Sequence, residues 1–233
     1  MQPSEFRNAL IVGAGPGLSA APARALASDG FNVALAARDI DKLGKLATET
    51  RATAFACDAT DPGQVEELFS SASSRGGDFD VVIYNAGARL RGPIEELDPA
   101  AVAASITANA FGGFLVAQQA ARRMLPRGGG AILFTGASAS IKGYPQSAPF
   151  AMGKFALRGL AQSMARELAP KGIHVAHVII DGGIRTPARG RDEERKDDLL
   201  DPAAIAATYL QLVRQPRSAW TWEVELRPWV ERF

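Results

Sequence analysis

Three closely spaced glycines, Gly13, Gly15 and Gly17, are the first residues of the chain whose type and spacing indicate a chemistry. They follow the apolar run NALIV (8–12) and precede the helical pattern LSAAPARALASDG (18–30). Glycine lets the backbone turn tightly and approach a pyrophosphate group, whose charge is met by the amide groups of a helix N-terminus. A lone glycine-rich turn indicates little, but this one has the strand–turn–helix context of dinucleotide binding. We therefore expect a dinucleotide-binding loop, with a simple tight turn as the alternative.

Arg38 follows the next apolar run, NVALAA (32–37), and bears on the choice of dinucleotide. Proteins that bind NAD usually place an acidic residue at the end of the second strand, where it meets the ribose 2′-hydroxyl. An arginine would instead meet a 2′-phosphate through charge-assisted hydrogen bonds. The sequence thus favours NADP(H) over NAD(H), although Asp39 stands one residue further on.

Phe150 and Lys154 stand four residues apart at the start of a helical pattern, SAPFAMGKFALRGL (147–160). A four-residue step places both side chains on one helical face. Lysine carries a charge and donates hydrogen bonds, whereas phenylalanine can neither donate nor accept a proton. Tyr144, six residues upstream, carries the nearest phenol and is the candidate substitute acid; the alternative is an ordinary loop-packing tyrosine.

Short apolar runs alternate with helical patterns along the whole chain. Fully apolar strands between helices are typical of a parallel sheet covered on both faces. We expect an α/β fold with a single doubly wound sheet of about seven strands and one domain over 1–233. The charge-rich end of 185–200 suggests a mobile segment, either solvated or acting as a substrate-side lid. The predicted strands are 8–12, 32–37, 53–57, 80–84, 131–135, 173–180 and 223–226, and the longest predicted helices are 99–124 and 150–169.

The bulk composition excludes several classes of function. The net charge of +1 gives no reason to expect nucleic acid or an anionic membrane as a partner. One cysteine, Cys57, and two histidines, His174 and His177, make a disulfide and a metal site unexpected, and we interpret both histidines as structural. With no signal sequence and no apolar run near eighteen residues, we expect a cytoplasmic protein.

The chain resembles the short-chain dehydrogenase/reductase family over nearly its whole length. Gly13 and Gly17 match the family's G-x-x-x-G-x-G motif, and Ser19 stands in the third place. CDATD (57–61), YNAG (84–87), ITANAFGGF (106–114) and DGGIRT (181–186) are similar to further family segments in the right order, with Tyr84 and Asp181 replacing the usual Asn and Pro. The resemblance implies a Rossmann fold and cofactor contacts from Gly13, Gly15, Gly17, Leu18, Ser19, Arg38, Asp58, Ala59, Asn85, Ala86, Gly87, Lys154, Ile184 and Thr186.

The resemblance also implies where the chemistry takes place. The family uses a Tyr-x-x-x-Lys pair, in which Lys154 matches the lysine and Phe150 occupies the tyrosine position. Its serine lies about thirteen residues before the tyrosine, which counts back to Ala137, so Ser138 is the candidate and Ser140 a weaker one. Asn109 matches an asparagine that helps to hold a proton-relay water.

Three outcomes stay open from sequence alone. The protein is an enzyme in which Tyr144 replaces the missing acid, or an enzyme whose substrate is protonated by water through Asn109 and Lys154, or a pseudoenzyme that binds NADP(H) as a sensor or interaction module. We favour an NADP(H)-dependent oxidoreductase acting on a small carbonyl, alcohol or activated double bond. Small-residue faces on the two long helices, together with the resemblance, predict a homodimer or homotetramer.

Overall fold

A computed structural model of the chain describes residues 2–186 and 197–231. These residues form one parallel seven-stranded sheet with the strand order β3-β2-β1-β4-β5-β6-β7. The strands are β1 (Asn8–Val12), β2 (Asn32–Ala37), β3 (Thr53–Ala56), β4 (Val81–Tyr84), β5 (Gly130–Thr135), β6 (Ile173–Ile180) and β7 (Glu223–Leu226). The helices are α1 (Ala20–Ser28), α2 (Gly44–Thr50), α3 (Pro62–Gly76), α4 (Pro99–Ile106), α5 (Gly112–Met124), α6 (Ala148–Leu168) and α7 (Pro202–Arg214).

Helices cover both faces of the sheet, because successive strand residues point to opposite sides. Leu10 and Val12 of β1 join a hydrophobic cluster with residues of α3, α5 and α6. Ala9 and Ile11 of the same strand join a second cluster with residues of α1 and α7. Every residue of β4, β5 and β6 is buried, as expected for central parallel strands. The predicted doubly wound α/β fold is therefore confirmed.

Three helices begin at an Asp-Pro pair, which fixes their N-termini. Asp61, Asp98 and Asp201 are the N-cap residues of α3, α4 and α7, and each is followed by a proline. Their carboxylates accept hydrogen bonds of 2.8 to 3.1 Å from backbone N–H groups of the first turn. Proline fits the first helical position because its missing N–H has no partner there in any case.

The helix predicted over 99–124 is present, but its middle is not α-helical. A π-helical segment, Thr107–Phe111, separates α4 from α5. The Tyr84 hydroxyl donates a 2.6 Å hydrogen bond to the Ala108 carbonyl in this segment. A Cβ atom built on Gly112 would lie 2.5 Å from that hydroxyl oxygen, so glycine is needed for the close approach. Such π segments frequently occur at functional sites.

The stretch Pro99–Arg127 corrects the expectation that the chain has no apolar run near eighteen residues. It contains an eighteen-residue window that passes for a membrane-spanning helix by length and composition alone. In the fold, Leu115, Val116 and Ala120 of this stretch are buried in a cluster that includes β4 and β5 residues. Core helices of globular proteins have the same composition.

Candidate active site

A cavity of about 1000 Å³ opens at the carboxyl ends of β1, β2 and β4. Connections from neighbouring strands diverge to opposite faces of a doubly wound sheet, and the crevice that results is where such sheets bind ligands. The cavity is lined by the glycine loop, by residues that follow β2, β3 and β4, and by residues of α4 and the π segment. Several predicted cofactor contacts are therefore brought together in one place.

The glycine loop is closed against the segment that follows β4. Gly13 has a φ of +80°, and a Cβ atom there would lie 2.3 Å from the Ala86 backbone nitrogen. The Ser19 hydroxyl accepts a 2.9 Å hydrogen bond from the Gly15 N–H, which folds the loop onto the start of α1. Among the described residues, nothing lies within 4 Å of a Cβ built on Gly15 or Gly17, so open space adjoins the loop there. The loop has the tight turn and the open approach at Gly15 and Gly17 that a pyrophosphate requires.

Arg38 is an exposed residue lining the cavity beyond the end of β2. Its neighbour Asp39 is bonded instead to Lys42, at 2.9 Å. Asp58 accepts hydrogen bonds from the Thr60 N–H and hydroxyl, at 2.9 and 2.8 Å. These bonds, and then the charge of Arg38, lower the pKa of the Asp58 carboxyl below its ordinary value. This end of the cavity therefore combines an ionised carboxylate with a guanidinium.

Asn85 joins the end of β4 to the glycine loop. Its side-chain N–H donates a 3.0 Å hydrogen bond to the Gly13 carbonyl, and its backbone N–H donates to Val12 at 2.8 Å. The side chain of Asn85 is thus engaged in positioning the loop. Ala86 and Gly87, the two residues that follow, line the cavity.

Asn109 lies in the π segment with its side chain fully buried. Its amide N–H group donates to the Ala88 carbonyl at 2.7 Å and to the Ser105 carbonyl at 2.8 Å. Its carbonyl oxygen, Oδ1, has no hydrogen-bond partner in the described part of the chain. A buried acceptor without a partner is costly, so this atom is suited to bind a water molecule or ligand.

Lys154 is 5% exposed and donates a 2.9 Å hydrogen bond from Nζ to the Thr135 carbonyl at the end of β5. Burial lowers the pKa of its ammonium group to about 8, so the charged form still predominates at neutral pH. A Cβ atom built on Gly87 would lie 2.7 Å from Asn109 Oδ1 and 3.6 Å from Lys154 Nζ. An ammonium donor and an unpartnered acceptor therefore approach the same point beside the cavity.

Phe150 lies one turn before Lys154 in α6, and both are on one face as predicted. Lys154 Nζ is 5.8 Å from the centre of the Phe150 ring. Arg89 Cζ is 5.6 Å from the same centre. The sequence reasoning missed Arg89, because no local spacing connects it with a residue sixty positions away that the fold brings near.

The Ser138 hydroxyl forms a hydrogen bond with the Asp181 carboxyl. Asp181 is 2% exposed in its side chain and forms ion pairs with Lys142 at 2.8 Å and Arg227 at 3.3 Å. Burial alone would raise the pKa of the Asp181 carboxyl, but hydrogen bonds from Lys142 and Ser138, with the charge of Arg227, lower it below its ordinary value. The Ser138 hydroxyl therefore has a strong acceptor beside it.

Ser140 is fully buried and belongs to a separate polar network. His177 lies with Nε2 3.3 Å from the Ser140 hydroxyl and Nδ1 3.1 Å from Glu223, which is also paired with Arg158. Burial lowers the pKa of His177 to about 4, so its ring is neutral at neutral pH. Nδ1–H then donates to Glu223, and Nε2 accepts from the serine hydroxyl. Because Ser140 has no contact with solvent, its hydrogen bond with His177 agrees with a structural role for both residues.

The remaining predicted site residues are spread around these groups. Tyr144 is 47% exposed in the loop before α6. Leu18 is half-buried and packs against the cluster that contains α1, whereas Ala59 is buried and lines the cavity. Ile184 pairs with Leu200 in an isolated bridge, and Thr186 is exposed. Most of the predicted substrate-side segment, 187–196, lies outside the described residues.

A family model and several known proteins similar to this chain are described as short-chain dehydrogenases. A family model described as short chain dehydrogenase matches residues 7–197. The short chain aldehyde dehydrogenase 1 of Euphorbia lathyris is 31% identical over 217 residues, which are 88% of this chain and 72% of that protein. A short-chain dehydrogenase structure from Rhodopseudomonas palustris has a TM-score of 0.83 and 37% identity, covering 96% of this chain and 99% of that one. A metagenomic short-chain oxidoreductase in complex with NADP has a TM-score of 0.83 and 27% identity, covering 95% and 97%.

Proposed function

The chain belongs to the short-chain dehydrogenase family, and we propose that it is an NADP(H)-dependent oxidoreductase. It transfers hydride to or from a small carbonyl, alcohol or activated double bond. One observation carries this proposal: a single cavity runs from the glycine loop and Arg38 to Gly87, beside which Asn109 and Lys154 converge. The structural relative solved in complex with NADP supports it further.

The residues present fit a nicotinamide dinucleotide. The glycine loop offers open space at Gly15 and Gly17, where the pyrophosphate would lie against the start of α1. Arg38 and Asp58 would hold the adenosine end, with the guanidinium meeting a 2′-phosphate. Lys154 would hold the ribose next to the nicotinamide. When bound, the dinucleotide supplies or accepts the hydride, while the protein orients the reacting groups.

Asn109 and Lys154 would together hold the proton that accompanies the hydride. Asn109 Oδ1 has no hydrogen-bond partner among the described residues, and Lys154 Nζ has N–H donors beyond the one bonded to Thr135. A water molecule between them would accept from Nζ and donate to Oδ1. Its second hydrogen could then reach a substrate oxygen directly, without a side-chain phenol.

Phe150 occupies, in this proposal, the position at which the family has its catalytic tyrosine. A positioned acid typically contributes about 10²–10⁴ in rate, or roughly 3–5 kcal/mol of barrier. The absence of a tyrosine hydroxyl at position 150 favours substrates that need little acid assistance, such as activated double bonds or imines. Tyr144 stays a candidate acid on sequence grounds, and its side chain is exposed in the loop before α6.

A homodimer or homotetramer and a cytoplasmic location stay predictions. Exposed apolar side chains do lie on the two long helices expected to form the interface. Phe111 and Phe114 stack on each other with ring centres 6.0 Å apart, and Met152 and Phe155 are exposed on α6.

Substitution of Arg38 by alanine tests the cofactor assignment. We expect NADPH to bind the wild-type protein at least tenfold more tightly than NADH, because the guanidinium meets the 2′-phosphate with charge-assisted hydrogen bonds. In Arg38→Ala, NADPH should lose roughly ten- to hundredfold in affinity while NADH changes little. Fluorescence titration of both dinucleotides measures this, with Arg24→Ala as the control because Arg24 pairs with Glu49 on the surface. Equal affinity for the two dinucleotides would refute the NADP(H) preference.

A further inference from the structure

Arg89 is the residue of the cavity that the proposed function leaves without a role. It follows β4 by five residues and lines the cavity together with Leu90. Arg38 lines the same cavity after β2, and β1 lies between β2 and β4 in the sheet. The two guanidiniums therefore enter the cavity from strands that are not neighbours. Arg89 is the one beside Phe150, and so beside the reaction centre of the proposed function.

The acidic groups that line the cavity have partners. Asp39 is paired with Lys42, and Asp58 is bonded to Thr60 and lies in the field of Arg38. Among the described residues, no carboxylate pairs with Arg89, and its contact is the Phe150 ring. An aromatic ring is a weak acceptor, so no oxygen acceptor among the described residues occupies the N–H donors of the guanidinium, and these donors suit an oxygen anion.

Two cations surround one ring that has no hydroxyl. Arg89 Cζ and Lys154 Nζ are both less than 6 Å from the Phe150 ring centre. The Asp181 carboxylate, on the side of the loop before α6, is paired with Lys142 and Arg227. A concave site with a positive balance attracts anions, and arginine binds carboxylates and phosphates with paired hydrogen bonds.

We propose that Arg89 binds a carboxylate or phosphate group of the substrate at the Phe150 ring. The substrate is then a small acid or phosphate ester whose carbonyl, alcohol or double bond lies beside Lys154. This inference rests on the proposed function, since it concerns the substrate side of the same site. The inference explains why the Arg89 guanidinium lies beside Phe150, at the position where the family has a tyrosine hydroxyl.

Matched probes test the inference by calorimetry on the NADP⁺-saturated protein. Benzoate and phenyl phosphate carry the two anionic groups, and benzamide is the neutral counterpart of benzoate. We expect at least one anion to bind ten times more tightly than benzamide. Arg89→Met should lose roughly ten- to hundredfold of that affinity, and Arg89→Lys should keep part of it. The control is Arg91→Met, because Arg91 is exposed outside the cavity lining and should leave anion binding unchanged.

Three results would overturn the inference. The first is equal binding of benzoate and benzamide, together with no binding of phenyl phosphate. The second is an equal loss of anion affinity in Arg89→Met and Arg91→Met. The third is a loss of NADP⁺ affinity in Arg89→Met with anion binding unchanged. The last would place Arg89 in the cofactor site. NADP⁺ affinity is measured first on each variant, and the probe titrations are repeated without dinucleotide. Failure of NADP⁺ to bind refutes the proposed function, while the anion preference of the free protein still decides the role of Arg89.

Discussion

Replacing Phe150 with tyrosine is expected to raise the rate of NADPH-dependent carbonyl reduction by about 10²- to 10⁴-fold. The new hydroxyl would extend from a ring whose centre is 5.8 Å from Lys154 Nζ. A nearby ammonium charge stabilises the phenolate and so lowers the pKa of a tyrosine, which suits it to donate a proton near neutral pH. The two cations beside the ring, Lys154 and Arg89, both act in this direction.

The measurement is kcat/KM with NADPH on a panel of aldehydes, ketones and oxo acids. Phe155→Tyr is the matched control, because Phe155 lies on the same helix with an exposed ring. It should leave the rate unchanged. An unaltered rate in Phe150→Tyr would show that Phe150 does not occupy the position of the family's tyrosine. If Phe150→Tyr reduces carbonyls and the wild-type protein shows no reduction of any substrate, the natural chain is a dinucleotide-binding module.

The stability of the free protein is expected to rise between about pH 8 and pH 10 because of Lys154. Burial lowers the pKa of this lysine from 10.5 to about 8 in the folded state. Between these values the unfolded chain binds more protons than the folded chain, so the free energy of unfolding increases with pH. One pKa unit corresponds to about 1.4 kcal/mol, so the rise should approach about 3 kcal/mol. Below pH 8, Lys154 is protonated in both the folded and the unfolded chain, so its contribution to the free energy of unfolding does not change with pH.

Lys154→Met isolates the effect, since it keeps the length of the side chain and removes the titrating group. Urea unfolding at pH 7, 8, 9 and 10 should show the rise in the wild type and not in the variant. Tyr84 and Tyr209 have pKa values raised by burial, and their titration affects both proteins equally. Parallel stability curves for the two proteins would mean that Lys154 keeps an ordinary pKa in the fold.

The strands were predicted well because their signal is local. A parallel strand buried on both faces needs a mostly apolar run, and NALIV, NVALAA and IHVAHVII match β1, β2 and β6 to the residue. The break at Thr107–Phe111 has no such signal. Its Ala108 carbonyl accepts a hydrogen bond from the Tyr84 hydroxyl of β4, a contact between residues far apart in the sequence.

In the candidate site, too, local patterns could be predicted from sequence and contacts between distant segments could not. The glycine loop and the spacing of Phe150 and Lys154 are local patterns, and the structure places these residues as the patterns indicate. The contacts of Arg89 with Phe150 and of Ser138 with Asp181 join segments far apart in the chain. Only the packed sheet brings them together, so spacing could not reveal them.

Transfer of deuterium from NADPH labelled at the transferable C4 position tests the account most directly. The wild-type protein is incubated with the labelled dinucleotide and a panel of carbonyls, enones, imines and oxo acids, and the products are analysed by mass spectrometry. We expect one deuterium in the product for each NADP⁺ formed, with the accompanying proton taken from water. Tight binding of NADPH with no deuterium in any product would contradict hydride transfer and leave a protein that binds the dinucleotide as a sensor or interaction module.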